Sequence, residues 1–213
     1  MPLEELPFGK GDKIVFIGDS ITDAGRTGGE GEYGNGYVAK VRELLLARFP
    51  ELHLSVVNRG VGGDTVRDLA RRWKSDVLAE RPDWLSVKIG VNDVWRGFDG
   101  NAAGAVPEDE YAQVLRELLR QAAEGGSRPV LVTPFLVEPN RADPMRIAVQ
   151  SRAEVVAALA RDLNLPLVRL QPAFDAVSAA SAPEVWSQDR VHPSDLGHAL
   201  IALEWLRALG VGL

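Results

Sequence analysis

Ile14-Val15-Phe16-Ile17 is a run of four apolar residues that ends in the turn-forming sequence Gly18-Asp19-Ser20. A run of this kind, rich in β-branched residues, predicts a buried strand. Four further runs of strand length follow, at residues 52–57, 84–89, 129–132 and 166–170. Amphipathic stretches of helical length alternate with the runs, at residues 36–49, 65–78, 107–123, 144–163 and 194–209. The alternation predicts an α/β fold, a single αβα sandwich around a five-stranded parallel sheet.

Composition sets the class of protein. With 213 residues, 46% hydrophobic and 25% charged, we expect one globular domain over residues 1–213. A net charge of −6 argues against a nucleic-acid partner, since binding to phosphates needs excess Lys and Arg. No apolar run approaches the roughly 20 residues of a membrane span, so we expect no membrane partner. Residues 1–8 lack the basic start and apolar core of a secretory signal, which favours a cytoplasmic location.

Motifs for cofactors and metals are weak. The chain has no cysteine, and no Gly-Lys-Ser/Thr sequence that would bind nucleotide phosphates. Residues 29–34 match a dinucleotide-binding pattern by letter, but they lie too far from the first strand and carry two acidic residues. His192 and His198 are six residues apart, the wrong spacing for joint metal ligation on a helix. We therefore expect neither a cofactor nor a metal.

Three candidate functional residues follow three predicted strands. Ser20 follows the first strand, Gly63 the second and Asn92 the third. Open parallel sheets bind ligands at the carboxyl ends of their strands. Each residue alone is a weak signal, because Asp and Ser also favour turns and helix caps. Their shared position predicts a site at this edge of the sheet.

Asp189-Arg190-Val191-His192-Pro193 supplies the remaining groups of a serine hydrolase near the end of the chain. Such an enzyme needs a hydroxyl nucleophile, an imidazole base and a carboxylate that orients the imidazole. Asp189 lies three residues before His192, so its carboxylate can reach one ring nitrogen while the other faces a serine. Asp189 could instead cap the turn before Pro193.

Four segments, in order along the chain, resemble the SGNH (GDSL-type) hydrolases. They are Phe16-Ile-Gly-Asp-Ser-Ile-Thr-Asp23, Asn58-Arg-Gly-Val-Gly-Gly-Asp-Thr65, Ile89-Gly-Val-Asn-Asp93 and Asp189-Arg-Val-His-Pro193. The resemblance implies a flavodoxin-like sheet, Ser20 as nucleophile, and His192 with Asp189 as base and orienting carboxylate. It also implies an oxyanion hole formed by the Ser20 backbone N–H, Gly63 and Asn92.

Within that family the chain is most similar to intracellular acetyl xylan esterases. Segments such as Asn92-Asp-Val-Trp-Arg96 and Asp143-Pro-Met-Arg146 carry this closer similarity. It implies a serine esterase that removes acetyl groups from acetylated xylo-oligosaccharides, and it leaves a homo-oligomer open. One position departs from the pattern. Gln188 stands where the resemblance implies an aromatic residue, and Trp186 lies two residues earlier.

Aromatic residues near the site are candidates for binding a sugar. Trp95 and Trp186 fall on predicted loops, where a flat indole face could stack on a sugar ring or simply pack. Residues 97–105 are small and Gly-rich, which favours a mobile loop over the site.

Several polar residues have a structural interpretation. We expect Asp19, Asp64 and Asp93 to fix turns and loops, and we expect the arginines 67, 71 and 72 to form a solvated helix face.

Two other functions remain open on the sequence. One is a general short-chain carboxylesterase, thioesterase or lysophospholipase. The other is an inactive carbohydrate-binding relative, against which the presence of Ser20, Asn92, Asp189 and His192 argues.

Overall fold

The central sheet is parallel throughout and has five strands. A computed structural model describes residues 6–212. Residues 1–5, part of the segment 1–8 that favours a cytoplasmic location, lie outside the described residues. The strands, numbered along the chain, are β1 Lys13–Gly18, β2 Ser55–Gly60, β3 Trp84–Lys88, β4 Arg128–Val132 and β5 Leu167–Val168. They lie in the order β2-β1-β3-β4-β5, the flavodoxin-like order, which confirms the predicted fold class.

Within residues 6–212, eight α-helices connect and flank the strands. They are α1 Ser20–Asp23, α2 Tyr37–Arg48, α3 Val66–Trp73, α4 Val91–Trp95, α5 Glu108–Glu124, α6 Pro144–Asp162, α7 Leu170–Ala180 and α8 Asp195–Ala208. Side-chain caps mark the starts of some of them. Asp143 caps α6 ahead of Pro144, and Ser194 caps α8 by accepting from Gly197 N–H. No helix within residues 6–212 is long and apolar enough to cross a membrane.

Each face of the sheet is buried under a separate group of helices. Along β1, Ile14 and Phe16 pack into a cluster that includes side chains of α2, α7 and α8. Val15 and Ile17 pack on the other face, against α3, α5 and α6. All four side chains are 0% exposed. Because helices cover both faces of the sheet, the sequence of β1 is continuously apolar and does not alternate between apolar and polar residues.

The structure corrects some boundaries. Residues 52–54, predicted as strand, lie before β2, and Leu52 belongs to the short turn Pro50–Leu52. The predicted strand 166–170 is strand only at Leu167–Val168, because α7 begins at Leu170. Helices α1, α4 and α7 were not predicted, and the wide turn Lys74–Leu78 follows α3 where one longer helix was expected.

Candidate active site

Ser20 is the first residue of helix α1, two residues after the end of β1. Asp19 caps the helix by accepting from Ile21 N–H at 3.0 Å. A Cβ at Gly18 would lie 2.3 Å from the Lys88 carbonyl oxygen and 2.4 Å from Thr22 Oγ1, so only glycine fits there. Only Asp19 separates the end of β1 from the start of α1, so Ser20 lies at the carboxyl edge of the sheet.

Beneath Ser20 lies a buried ion pair that the sequence analysis missed. Lys88, on the central strand β3, donates to both carboxylate oxygens of Asp19, at 3.1 and 3.2 Å. Both side chains are 0% exposed. Burial lowers the pKa of Lys88, and the negative charge of Asp19 opposes this change. The available signal was a lysine in a predicted buried strand, since a buried ammonium group needs a partner of opposite charge.

One face of helix α4 holds the loop that follows β2. Asn92 Nδ2 donates to the Asp64 carbonyl oxygen at 3.0 Å, and Arg96 Nη2, one turn later, donates to the Gly63 carbonyl oxygen at 3.3 Å. Gly63 has φ +83°, which favours glycine, and a Cβ there would lie 3.2 Å from Arg96 Nη2. Within residues 6–212 no acceptor in the chain takes the backbone N–H of Ser20 or Gly63. Both donors are therefore available to a bound molecule.

Asp189 and His192 form a hydrogen-bonded pair that reaches Ser20. Asp189 Oδ2 lies 2.6 Å from His192 Nδ1, and His192 Nε2 lies 2.9 Å from Ser20 Oγ. The other carboxylate oxygen, Oδ1, accepts from Val191 N–H at 3.0 Å and from His192 N–H at 2.7 Å. The structure thus brings together the serine, imidazole and carboxylate that the sequence placed at opposite ends of the chain.

The carboxyl group of Asp189 is held in its ionised form. Partial burial opposes ionisation, but the hydrogen bonds from the His192 side chain, His192 N–H and Val191 N–H outweigh it. The pKa of Asp189 is therefore lowered from its ordinary value. An ionised Asp189 favours the tautomer in which His192 Nδ1 carries a proton.

The two candidate tryptophans lie in different surroundings, and the prediction of a loop was wrong for Trp95, which is the last residue of α4. The Trp95 ring centroid is 5.9 Å from that of His192, so this indole borders the hydrogen-bonded pair. The Trp186 indole donates to Ser181 Oγ at 2.7 Å, beside the end of α7. Gln188 is exposed. The loop at residues 97–105 starts beside Trp95 and contains one short helical turn, Ala102–Gly104.

Three carboxylates support the site loops, as predicted for turn and loop residues. Besides Asp19, Asp93 accepts from Val66 N–H at 2.9 Å, and Asp64 accepts from Arg72 Nε at 2.7 Å. Burial raises the pKa of Asp93 to about 7, and it raises the pKa of Asp64 against the attraction of Arg72. Asp93 therefore fixes the start of α3 to α4, and Asp64 fixes the loop before α3 to Arg72 within that helix.

The prediction of a solvated arginine face was wrong for Arg72. Its side chain is only 16% exposed, and it donates to the Gly18 carbonyl oxygen at 3.0 Å and to the Arg59 carbonyl oxygen at 2.6 Å. It therefore braces the ends of β1 and β2. Arg67 and Arg71 are more open and pair with Glu110 and Asp68.

His198 supports the fold beside the site. It is buried, and its Nδ1 accepts from Tyr37 N–H at 3.2 Å, at the start of α2. Burial lowers the pKa of His198 to about 4, so the ring is neutral near neutral pH. Its hydrogen bond links α8 to α2, the two helices that cover the Ser20 end of the sheet.

Comparisons with known proteins agree with this architecture. The model of the GDSL-like lipase/acylhydrolase family matches residues 16–200. An acetylxylan esterase from Geobacillus stearothermophilus is 44% identical over 212 residues, which cover 96% of this chain and 97% of the relative. The thioesterase 1/protease 1/lysophospholipase L1 of Escherichia coli strain K12 is 23% identical over 92% of this chain and 81% of its own length.

Solved structures show the same similarity. The crystal structure of the Geobacillus acetylxylan esterase superposes with a TM-score of 0.92 at 44% identity, covering 95% of this chain and 96% of that one. An alpha/beta hydrolase from the metagenome of Lake Arreo, Spain, gives 0.91 at 43% identity, covering 96% and 97%. The chain therefore belongs to the GDSL-like lipase/acylhydrolase family and is a carboxylic ester hydrolase.

Proposed function

We propose that this protein is a serine esterase that removes acetyl groups from acetylated xylo-oligosaccharides through an acyl-enzyme. The observation that carries the serine mechanism is the continuous hydrogen-bond chain from Ser20 Oγ through the His192 ring to Asp189, at 2.9 and 2.6 Å. The substrate is proposed from the near full-length similarity to an acetylxylan esterase.

Acylation begins when Ser20 Oγ attacks the ester carbonyl carbon and gives its proton to His192 Nε2. His192 Nδ1–H donates to Asp189 throughout, which stabilises the imidazolium that forms. The tetrahedral intermediate collapses as the C–O bond to the sugar breaks, and the sugar oxygen takes the proton from His192 Nε2. Water then attacks the acetyl-enzyme with His192 again as base, which releases acetate and restores Ser20.

The negative charge of each tetrahedral intermediate needs donors that are in place beforehand. We assign this role to the backbone N–H groups of Ser20 and Gly63 and to the Asn92 side-chain amide. Neither backbone N–H has an acceptor within residues 6–212, which supports the assignment. One N–H of the Asn92 amide is taken by the Asp64 carbonyl, so the amide is already oriented and its second N–H is left for the substrate.

Recognition of the sugar is assigned to tryptophan. The position of Trp95 beside His192 supports its use as a stacking face for the sugar that carries the acetyl group. Trp186 is proposed as a second stacking face, whose indole N–H is held by Ser181 Oγ at 2.7 Å and so fixes the orientation of the ring.

A series of esters tests the substrate. Acetylated xylose and p-nitrophenyl acetate should give a far higher kcat/KM than the octanoyl ester, because we expect a small acyl pocket. A long apolar groove would give the reverse order, since each buried methylene contributes about 0.8 kcal/mol. A kcat/KM that climbs from acetyl to octanoyl would reject the acetyl esterase in favour of a general esterase, thioesterase or lysophospholipase. No turnover of any ester would favour the carbohydrate-binding relative.

Trp95→Ala tests stacking on the sugar, and p-nitrophenyl acetate serves as the control substrate without a sugar. The change should reduce kcat/KM for acetylated xylose more than for p-nitrophenyl acetate, which offers no sugar to stack. Equal losses on both esters would make Trp95 a packing residue.

A cytoplasmic location and assembly into a homo-oligomer stay predictions. Cell fractionation tests the first and sedimentation equilibrium tests the second.

A further inference from the structure

The segment that carries Asp189 and His192 has little regular structure. It runs from the turn Pro183–Val185 to the start of α8, and its one ladder contact is the bridge between Ser187 and Pro193. The side chains of Asp189 and His192 are 49% and 45% exposed. Packing of the neighbouring apolar residues therefore cannot by itself fix the direction of the His192 ring.

Arg190 lies between the two and connects the segment to another part of the chain. Its Nε is 2.9 Å from Glu138 Oε2, and its Nη2 is 2.9 Å from Asp143 Oδ2. Its carbonyl oxygen accepts from Val137 N–H at 2.8 Å. The carboxylates are 18% and 21% exposed and the Arg190 side chain is 41% exposed, so water screens the two pairs only in part.

The backbone at Arg190 is unusual for a residue with a side chain. Its φ is +74°, in the left-handed region that favours glycine. This reversal of the chain directs Val191 N–H and His192 N–H to the same Asp189 oxygen. A non-glycine residue persists in such a conformation when its surroundings hold it there. The two ion pairs and the Val137 hydrogen bond are those surroundings.

The carboxylates that hold Arg190 are themselves anchored. Asp143 caps α6 by accepting from Arg146 N–H at 2.9 Å, and the Glu138 carbonyl oxygen accepts from the Arg146 guanidinium. Arg146 also donates to Asp175 on α7 at 2.6 Å. Residues 137–143 are therefore fixed to two long helices of the αβα core.

We propose that Arg190 is a positioning residue whose bridge to Glu138 and Asp143 holds the Asp189–His192 turn so that the His192 ring stays directed at Ser20. This role rests on the serine mechanism proposed above. Arg190 acts through the turn and touches no reacting atom.

Arg190→Gly tests the role, because glycine adopts the same φ without strain and removes only the guanidinium-bearing side chain. We expect kcat on p-nitrophenyl acetate to fall roughly 10- to 100-fold, as for small misplacements of a catalytic group, with KM within about twofold. Arg141→Gly is the matched control, since this arginine is 82% exposed on the segment that holds Arg190. It should leave kcat unchanged.

The double variant Glu138→Gln/Asp143→Asn tests the bridge from its other end, and the change to asparagine preserves a side chain that can cap α6. It should reproduce the loss of kcat in Arg190→Gly, and combining all three changes should add little, because one interaction is removed each time. Additive losses, an unchanged kcat in Arg190→Gly, or a rise in KM alone would overturn the proposal.

Ser20→Ala in the same assay separates this claim from the proposed function. An inactive Ser20→Ala beside an unimpaired Arg190→Gly overturns the role of Arg190 alone. An active Ser20→Ala overturns the serine mechanism and the positioning role with it.

Discussion

Ser20 and His192 meet at a 2.9 Å hydrogen bond, yet the regions that carry them are built in opposite ways. Ser20 follows a central strand whose apolar side chains are 0% exposed, and the residue before it, Asp19, is paired with Lys88 in the interior. His192 lies on an irregular segment at the surface and is about half exposed, as is its partner Asp189. The nucleophile therefore directly follows buried residues of the core, whereas the base lies on a surface segment packed against it.

The difference separates stability from activity. A buried ion pair that loses one partner leaves an uncompensated charge in the interior, whereas an exposed pair is screened by water. Changes beneath Ser20 should therefore destabilise the whole domain. Changes around Asp189 and His192 should alter turnover while the domain stays folded. Substitutions in the two regions should therefore differ in their effects on kcat and on the unfolding free energy.

Removal of either reacting side chain should have the largest effect. Ser20→Ala and His192→Ala should each lower kcat by roughly 10⁴-fold or more, because the nucleophile or its base is lost. Circular dichroism should show both variants folded, since Ser20 loses one small hydroxyl and the His192 side chain is 45% exposed on a surface segment. Turnover above a tenth of wild type in either variant would contradict the assignment.

Asp189→Asn should have a smaller effect on kcat. An amide disfavours the tautomer of His192 that accepts from Ser20, and the same change in a buried serine protease site costs roughly 10⁴-fold. Because Asp189 is 49% exposed, water can replace part of its role, and we expect a loss of roughly 10²- to 10³-fold. Steady-state kinetics should show this loss of kcat, and urea unfolding should show the stability of the wild-type protein. That combination would support the contrast between the two regions. An unchanged kcat would leave Asp189 as a turn residue.

Lys88→Met probes the buried half through stability. Asp19 would be left without a counter-charge, which should lower the unfolding free energy by about 3–5 kcal/mol. Lys13→Met is the matched control. Lys13 lies on β1 of the same sheet and pairs with Glu80 at 3.3 Å, but its side chain is 36% exposed. It should cost at most about 1 kcal/mol. Urea unfolding measures the unfolding free energy of both variants. Equal decreases in the two would show that burial of the Asp19–Lys88 pair is unimportant for stability.

Asp93→Asn should change how stability depends on pH. The folded protein keeps the Asp93 proton up to about pH 7, whereas the unfolded chain loses it near 3.8. The stability contributed by the protonated carboxyl is complete below the unfolded pKa and is lost as pH rises through about 7. Asparagine removes this decline. His198 contributes the opposite slope in both proteins, so the difference between their urea unfolding curves isolates Asp93. Parallel curves would contradict a raised pKa.

Local patterns were enough to predict the sheet and the grouping of the candidate residues. Strand β1 is a continuous apolar run because both faces of the sheet are covered, and the turn at Gly18 follows it directly. Helix α7 was missed because Leu170, its first residue, was assigned to the end of the predicted strand 166–170, and short apolar runs do not separate strand from helix.

The supporting contacts were not predictable because they join distant parts of the chain. Asp19 and Lys88 are 69 residues apart, and only the pairing of β1 with β3 brings them together. The partners of Arg190 come from a loop about fifty positions earlier, and nothing in Asp189-Arg190-Val191-His192 indicates a positive φ at its second residue. Side chains that react are visible in motifs, whereas those that hold them depend on the folded geometry.

Covalent labelling with a fluorophosphonate tests the central claim, that Ser20 is a nucleophile activated by His192, without any assumption about the substrate. Peptide mapping by mass spectrometry should find one adduct per chain, on the peptide that contains Ser20. The adduct should be absent from Ser20→Ala and should form far more slowly in His192→Ala. Labelling at another residue, or labelling of Ser20→Ala at the rate of wild type, would contradict the account.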